Sequence, residues 1–317
     1  MGRRVILVFP GQGAQYVGMG KEIYEEFWYV REFYEKASTV INVDLKKLIF
    51  EGNEEELKKT ANAQPSIFLT SAVMLEVFRR EVGDKVEVLA CAGHSLGEYS
   101  ALYCAGVFSF EDAVKVVRRR GEIMSNADPE GKGGMSAVIG LEPQKVKEIC
   151  DELMREGKYV EPVNYNSPEQ VVISGYKEHV KEAGERLKSA GAKRVVELAV
   201  SGAFHSKLMQ GPAKVFREFL ETININPPAV TVFANYNAKP FPSSRNEIIE
   251  IMEKQMYSPV LWTDITRELS LLKPDLIIEV GPGQVLRGLV KKTLPDLEIE
   301  SFSLSLLERL LKDVHQL

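Results

Sequence analysis

A serine between two glycines is the residue of this sequence best placed to act as a nucleophile. The segment Gly93-His94-Ser95-Leu96-Gly97 has the G-x-S-x-G spacing of a nucleophile elbow, a sharp turn between a strand and a helix. Its glycines permit a turn too tight for side chains, so the hydroxyl of Ser95 is presented at the edge of a sheet. The N–H of Leu96 then stands free at a helix N-terminus, where it can donate to an oxyanion. A glycine-rich turn without a catalytic role is the alternative.

A serine hydroxyl needs a general base, and the sequence contains four histidines. His315 is close to the C-terminus, and His179 falls in a polar helix. The side chain of His94 should point away from that of Ser95, its neighbour in the turn. His205 lies in a loop after a predicted strand, where α/β sheets place functional groups. His205 is therefore the predicted base, with a structural histidine as the alternative.

An arginine falls on the apolar face of a predicted helix that begins at the N-cap Ser109 and carries Asp112 three residues later. At helical spacing Arg120 points inward, whereas Arg119 points nearly the opposite way. The apolar residues on the same face are Phe110, Ala113, Val117 and Met124. Because a buried, unpaired guanidinium is very unfavourable, Arg120 needs a carboxylate partner. That partner is either an internal Asp or Glu or the carboxylate of a substrate.

Short apolar runs that end in glycine or proline alternate with helical patterns around these residues. The predicted strands are 5–9, 86–92 and 275–280, and the predicted helices are 64–80, 96–104 and 109–124. This alternation predicts an α/β fold with a mainly parallel sheet. The segment Gly11-Gln12-Gly13 directly follows the first strand, and its glycines expose backbone N–H groups of the kind that an oxyanion or phosphate site needs.

The middle of the chain follows a different pattern after the glycine-rich segment 131–134. The predicted elements, in order, are strand 135–139, helix 143–155, strands 159–165 and 170–174, helix 177–190 and strand 194–200. The order βαββαβ is that of a ferredoxin-like unit. The sequence therefore predicts a small domain, residues 131–197, inserted into a larger domain formed by residues 1–130 and 198–317.

Composition and charge exclude several classes of protein. Hydrophobic residues make up 44% of the chain, and 40 basic residues against 45 acidic ones give a net charge of −5, which argues against nucleic acid as a partner. Cys91, Cys104 and Cys150 lack metal-ligand spacing and are expected to be reduced, buried thiols, so no metal site is predicted. The sequence shows neither a signal peptide nor a membrane-spanning stretch. We therefore expect a cytoplasmic protein that does not bind membranes.

Taken together, these motifs resemble those of the malonyl-CoA:acyl carrier protein transacylases, including the acyltransferase domains of fatty acid and polyketide synthases. The resemblance covers nearly the whole chain, and its motifs follow in the family's order. They are Phe9-Pro10-Gly11-Gln12-Gly13, Gly93-His94-Ser95-Leu96-Gly97-Glu98-Tyr99, Arg120-Gly121, Asn164-Tyr165-Asn166-Ser167-Pro168, Ala203-Phe204-His205-Ser206, Tyr257-Ser258-Pro259-Val260 and Glu279-Val280-Gly281-Pro282-Gly283. Gly202 is a small departure, since synthase domains often carry histidine there.

The resemblance implies a hydrolase-like large domain, an inserted ferredoxin-like domain and a site in the cleft between them. Within that site it implies Ser95 as nucleophile, His205 as base and Arg120 as the clamp for the malonyl carboxylate. The backbone N–H groups of Gln12 and Leu96 would form the oxyanion hole.

Two further residues enter through the resemblance alone. In this family a backbone carbonyl orients the histidine, and Gln255 matches that position. Asn166 matches a substrate-binding position.

The implied reaction is a ping-pong transfer from malonyl-CoA to the phosphopantetheine thiol of acyl carrier protein, in fatty acid or polyketide synthesis. Coenzyme A thioester is a substrate, and no bound cofactor is needed. The first rival is a serine hydrolase, in which water replaces the carrier thiol. The second rival is a non-catalytic module that binds the carrier protein, which would not require Ser95 and His205 together.

The residue before the predicted base generates a prediction about donor choice. Phe204 should line the pocket for the α-carbon of the substrate, where its ring fills the volume that an α-methyl group would need. Phe204→Ser should therefore narrow the preference for malonyl-CoA over methylmalonyl-CoA, by about 1–3 kcal/mol. Transfer rates with both donors measure the ratio. An unchanged ratio would show that Phe204 is ordinary core, whatever happens to the absolute rates.

Overall fold

A parallel sheet and an antiparallel sheet form the framework of the structure, a computed structural model that describes residues 2–314. The strands are β1 (Arg3–Phe9), β2 (Val86–Gly93), β3 (Gly133–Ile139), β4 (Val160–Ser167), β5 (Gln170–Tyr176), β6 (Arg194–Glu197), β7 (Thr231–Phe233), β8 (Leu276–Glu279) and β9 (Ile299–Ser301). The helices of the first half are α1 (Lys21–Glu26), α2 (Arg31–Ile41), α3 (Leu45–Phe50), α4 (Glu54–Lys58), α5 (Thr60–Val82), α6 (Gly97–Cys104) and α7 (Phe110–Asn126). Those of the second half are α8 (Pro143–Arg155), α9 (Lys177–Ser189), α10 (Gln210–Leu220), α11 (Arg245–Met256), α12 (Trp262–Leu271), α13 (Val285–Thr293) and α14 (Leu304–Val314).

The larger sheet has the order β7-β2-β1-β8-β9, and all of its pairings are parallel. Its central strand β1 is buried on both faces, which explains its continuous apolar run. Val5 and Leu7 pack into one apolar cluster, while Ile6 and Val8 pack into a second cluster on the other face. The prediction of a buried parallel strand at 5–9 is confirmed.

The pairing of β1 with β2 fixes where the functional loops begin. Phe9, the last residue of β1, lies opposite Gly93, the last residue of β2. Because parallel strands bring their carboxyl ends to the same edge, the loops that start at Pro10 and His94 lie side by side. The N–H of His94 donates to the carbonyl of Phe9 at 3.0 Å, which ties the two loops together.

The helices predicted around the first site motifs are present with small shifts in their ends. Helix α5 begins at Thr60 and carries Pro65 within its first turns. Helix α7 starts after Ser109, whose hydroxyl accepts the N–H of Asp112 at 3.2 Å as the predicted N-cap. In α6 nearly every side chain is buried, because this helix lies between the large sheet and its neighbouring helices.

The smaller sheet has the order β4-β5-β3-β6 with antiparallel pairing throughout. Helices α8 and α9 cover one face of it through a separate apolar cluster that includes Val146, Leu153 and Leu187. The predicted βαββαβ order and ferredoxin-like topology are confirmed. The sheet lies within residues 131–197, whereas the domain boundaries themselves stay a prediction.

One predicted strand is shorter than expected. Strand β6 ends at Glu197, and its pairing with β3 stops there, whereas the prediction extended it to Val200. The N–H of Val200 donates to the carbonyl of Leu198 at 3.0 Å, so the backbone turns away from the sheet. Residues 198–200 therefore form a loop at the edge of the cleft.

The edge of the smaller sheet is joined to the larger unit by backbone hydrogen bonds. The N–H of Tyr165 donates to the carbonyl of Val260 at 2.9 Å, and the N–H of Val260 donates to the carbonyl of Val163 at 2.8 Å. These bonds fix strand β4 against the segment before α12, so the cleft between the sheets has one rigid side.

Two other sequence expectations concern the whole chain. Cys91, Cys104 and Cys150 are buried free thiols, as predicted. Among residues 2–314, no helix combines the length and the apolar character needed to cross a membrane.

Candidate active site

Ser95 occupies a sharp turn between β2 and α6, with φ of 51° in the left-handed region. The flanking glycines are required by close backbone approaches. A Cβ atom on Gly93 would lie 1.9 Å from the carbonyl oxygen of Gly97, and one on Gly97 would lie 2.0 Å from the carbonyl oxygen of Phe9. A strained backbone held by such packing is typical of functional sites. The elbow predicted from the sequence is therefore formed.

The structure brings Ser95 and His205 together across a long stretch of chain. Ser95 Oγ lies 2.8 Å from His205 Nε2, and His205 Nδ1 lies 2.8 Å from the carbonyl oxygen of Gln255. Because a carbonyl oxygen can only accept, Nδ1 carries the proton and Nε2 is left to accept from the serine hydroxyl. His205 is itself held in the left-handed region, with φ of 61°.

The electrostatic surroundings keep His205 neutral. Burial, followed by the positive charge of Arg120, lowers the pKa of the imidazole to about 3, although the Gln255 carbonyl opposes the shift. An uncharged imidazole at neutral pH can take up a proton from Ser95, which a general base must do.

Arg120 is fully buried, as the helical pattern predicted, and Arg119 lies near the surface. Its guanidinium donates to Gln64 Oε1 at 2.9 Å, to Gln255 Oε1 at 3.0 Å and to Ser95 Oγ at 3.2 Å. Its Nε has no hydrogen-bond partner, and within residues 2–314 no carboxylate forms an ion pair with it. Burial lowers the pKa of this guanidinium. Of the two partners that the sequence left open, an internal Asp or Glu is therefore excluded among the described residues.

The two predicted oxyanion donors are close to each other. A Cβ atom on Gly11 would lie 3.5 Å from the backbone N of Leu96, so the loop that contains Gln12 runs beside the start of α6. Within the described part of the chain, the backbone N–H groups of Gln12 and Leu96 donate no hydrogen bond. The side-chain amide of Gln12 instead donates to Thr60 Oγ1 at 3.0 Å. The oxyanion role of the two N–H groups stays a prediction.

Asn235, which the sequence analysis missed, forms hydrogen bonds with the backbone of the turn that contains Ser95. Its Oδ1 accepts the N–H of Ser95 at 2.8 Å, and its Nδ2 donates to the carbonyl of Gly93 at 2.6 Å. Asn235 follows β7, and a polar residue after a parallel strand is a candidate for a functional role. Because β7 is only three residues long, it could not be recognised as a strand from the sequence, and Asn235 was missed with it.

Glu98 is a second buried residue that was missed. Its Oε2 accepts the backbone N–H of Asn235 at 2.6 Å, whereas its Oε1 has no partner. Burial raises the pKa of this carboxyl to about 8, against the opposing effects of the Asn235 N–H and of Arg120. Glu98 is therefore protonated at neutral pH and adds no negative charge beneath the site.

Gln255 contributes its side chain as well as its predicted carbonyl. Its Nε2 donates to the carbonyl of Ser95 at 2.9 Å, while its Oε1 accepts from Arg120. One residue thus contacts the nucleophile, the base and the buried arginine. The sequence indicated the backbone contact and gave no sign of the others.

A cavity of about 360 Å³ opens onto Ser95 and His205 between the two sheets. Phe204 lines it, together with Met135 from β3 and the loop 198–200, whereas a contact of Phe204 with the α-carbon of a substrate stays a prediction. Its other lining residues are Gln12, Gly13, Gln15, Lys58, His94, Met124 and Asn164. The cavity therefore lies between the two sheets, and its role as the active site stays a prediction.

The resemblance implied that Asn166 contacts the substrate, but its side chain contacts His94 instead of lining the cavity. Its Oδ1 contacts His94 Nε2 at 2.7 Å, and Asn164 rather than Asn166 lines the cavity. His94 lines the same cavity as Ser95, and the prediction that its side chain points away from that of Ser95 stays a prediction. The contact of Asn166 with substrate stays a prediction.

Of the remaining histidines, the described His179 is not among the residues that line the cavity at Ser95 and His205. His179 Nδ1 accepts the N–H of Tyr159 at 2.8 Å within the smaller sheet unit, and His315 lies outside the described residues.

Residues 6–316 match the family described as the acyl transferase domain. The chain belongs to this family. Membership makes it an acyltransferase and agrees with a site built around an activated serine.

Two proteins with high similarity to this chain are named for malonyl transfer involving acyl carrier protein. The malonyl CoA-acyl carrier protein transacylase of Bacillus subtilis strain 168 is 43% identical over 289 residues, which cover 91% of this chain and 90% of that protein. A solved acyl carrier protein S-malonyltransferase from Vibrio cholerae has a TM-score of 0.92 and 38% identity, covering 96% of this chain and 99% of that one.

A third family member was solved with a partner. This structure is a malonyl-transacylase in complex with the acyl-carrier protein of a type II polyketide synthase, with a TM-score of 0.93 and 38% identity. The match covers 98% of this chain and 99% of that one.

The buried carboxyl of Glu98 generates a prediction about stability. Between pH 4.5 and about 8 it is protonated in the native state and ionised in the unfolded chain. The native state then binds more protons, so this residue lowers stability as pH rises through that window. Relative to wild type, Glu98→Gln should gain free energy of unfolding at roughly 1.4 kcal/mol per pH unit there.

Urea denaturation of both proteins at several pH values across the window measures this difference. Contributions from His205 and Glu279, which also have shifted pKa values, cancel in the comparison. Parallel stability curves for the two proteins would contradict the protonated state of Glu98.

Proposed function

We propose that this chain transfers the malonyl group of malonyl-CoA to the phosphopantetheine thiol of acyl carrier protein, through an ester on Ser95. The proposal rests on the two side chains that contact Oγ of Ser95, the imidazole of His205 and the guanidinium of Arg120. Ser95 Oγ lies 2.8 Å from a neutral imidazole and 3.2 Å from a buried guanidinium without a carboxylate partner. The first group activates the nucleophile, and the second binds the carboxylate that distinguishes malonyl from simple acyl groups. The names of the similar transacylases support the same donor and acceptor.

In the first half-reaction, Oγ of Ser95 attacks the thioester carbonyl while its proton passes to Nε2 of His205. The imidazolium is stabilised by the Gln255 carbonyl that accepts from Nδ1. The oxygen of the tetrahedral intermediate lies at the N–H groups of Gln12 and Leu96. The C–S bond then breaks, and the coenzyme A sulfur takes the proton back from His205.

In the second half-reaction, the phosphopantetheine thiol of the carrier protein gives its proton to His205. The resulting thiolate attacks the malonyl ester, and the proton returns to Oγ as the ester bond breaks. Throughout, the malonyl carboxylate stays on Arg120, which holds the acyl group in place while coenzyme A is exchanged for the carrier. The route involves no metal and no bound cofactor.

Two observations favour transfer over hydrolysis by the same elbow. His205 is oriented by a backbone carbonyl, so the acid of a Ser-His-acid triad is replaced by a neutral group. An esterase also has no general use for the buried charge of Arg120. The non-catalytic binding module has no need for the short contact between Ser95 and His205.

Intact-mass measurement after mixing with malonyl-CoA separates these functions. A stable malonyl adduct on Ser95 that disappears when carrier protein is added supports transfer. Release of free malonate at the same rate without carrier would indicate hydrolysis, and an unchanged mass would indicate binding alone.

Removing the nucleophile should abolish the adduct and leave the fold intact. In Ser95→Ala the attacking oxygen is lost, whereas the elbow is still held by the glycines and by Asn235. Peptide mass mapping and a thermal melt check both parts. Ser189→Ala, the same change at an exposed position of α9, should react normally. Malonyl transfer by Ser95→Ala near the wild-type rate would disprove the mechanism.

Removing the buried guanidinium should affect donors unequally. Arg120→Ala should weaken malonyl transfer by about 2–4 kcal/mol, because a poorly solvated ion pair with the substrate is lost. Acetyl transfer should be largely spared, since acetyl has no carboxylate. Arg119→Ala, on the solvent side of the same helix, is the control for helix stability. Equal losses with both donors would show that Arg120 is structural.

A further inference from the structure

The guanidinium of Arg120 is held by two neutral amides. Gln64 Oε1 accepts from Nη1 at 2.9 Å, and Gln255 Oε1 accepts from Nη2 at 3.0 Å. Both glutamine side chains are buried, with 1% and 0% of their surface exposed. Buried arginines are normally paired with carboxylates, which satisfy both the hydrogen bonds and the charge. Here the two terminal nitrogens have hydrogen-bond partners, whereas Nε has none and the charge has no counter-ion.

The titratable neighbours do not supply the missing charge at neutral pH. The ring of Tyr99 packs against the guanidinium, and its centre lies 5.1 Å from Cζ of Arg120. Burial raises the pKa of the Tyr99 hydroxyl. Glu98 is the nearby carboxyl, and burial raises its pKa to about 8. Both groups are therefore protonated and uncharged near neutral pH, so neither compensates the positive charge of Arg120.

The contact with Gln64 depends on a close approach of two helices. Gly121, next to Arg120 on α7, faces the start of α5, where a Cβ atom would lie 3.0 Å from Cα of Ala61 and 3.5 Å from Cβ of Gln64. The missing side chain lets α7 approach α5, which brings the guanidinium to the amide of Gln64. The other end of that amide, Nε2, lies 3.2 Å from Met124 Sδ, so its orientation is fixed on both sides.

We propose that Gln64 is a specificity-determining residue, because its neutral amide positions Arg120 while leaving the arginine charge for the carboxylate of the acyl donor. This proposal rests on the proposed function and adds an explanation of how the site selects acyl-CoA donors that carry a free carboxylate. A carboxylate at position 64 would keep the geometry and supply an internal counter-charge. It would then compete with the substrate carboxylate for the same guanidinium.

The test is the near-isosteric variant Gln64→Glu, assayed for acylation of Ser95 by malonyl-CoA and by acetyl-CoA. The ratio of malonyl to acetyl rates should fall by at least about 30-fold, with most of the loss in the malonyl rate. The matched control is Gln210→Glu, the same charge change at an exposed position of α10, which should keep the wild-type ratio.

A second variant separates charge from orientation. Gln64→Met removes the hydrogen bond to Arg120 without adding a counter-charge, so its rates should fall while malonyl stays preferred. A loss of the preference in Gln64→Met as large as that in Gln64→Glu would overturn the proposal. A malonyl-to-acetyl rate ratio in Gln64→Glu within about twofold of the wild-type ratio would also overturn it, because that change corresponds to less free energy than one weak hydrogen bond.

A measurement on the unchanged enzyme keeps the proposal testable if Gln64→Glu does not fold. Formate, a small free carboxylate, should compete with malonyl-CoA because it can occupy the free charge of Arg120, and it should inhibit acetyl transfer far less. Equal inhibition of both reactions, or of neither, would overturn the proposal. Failure of the proposed function is a separate result, since the wild-type enzyme would then form no malonyl adduct.

Discussion

The buried positive charge of Arg120 is the constraint to which the rest of the site is adjusted. Burial and then this charge lower the pKa of His205 and so keep its imidazole unprotonated, and the guanidinium also donates to the hydroxyl of Ser95. A charge without a counter-ion in the protein interior is unfavourable, and it persists because packed amides and an aromatic ring surround it. The buried charge is therefore a source of electrostatic strain, which under the proposed function a substrate carboxylate relieves.

Parallel strand pairing and one inserted sheet bring the parts of the site together. The loops after β1 and β2 meet because those strands end side by side, and Asn235 joins them from the strand on the other side of β2. His205 arrives by a different route, at the point where the chain returns from the smaller sheet. The cleft thus has a rigid floor from the large sheet and a wall from the small one through Met135, while Phe204 lines it from the segment that returns to the large sheet.

The sequence predicted those features that are encoded locally. The elbow was recognisable because its G-x-S-x-G spacing is contained in five consecutive residues, and Arg120 because the helical period places it inward. Gln64 and Asn235 were missed because their roles depend on contacts with residues far along the chain, and a glutamine or asparagine has no spacing of its own. Strands β7 and β9 are three residues each, too short for a period to show, and β6 ends where the backbone turns although its side-chain pattern continues.

The left-handed backbone at Ser95 restricts which nucleophiles this fold can use. At φ of 51° a β-branched residue is strongly disfavoured, because its second Cβ substituent crowds the neighbouring carbonyls. Threonine, the other aliphatic hydroxyl, is therefore excluded at this turn for steric reasons that are independent of its chemistry. Cysteine has the branching of serine and fits the same backbone. Over evolutionary time, a change of nucleophile here would lead from oxygen to sulfur and not from one alcohol to the other.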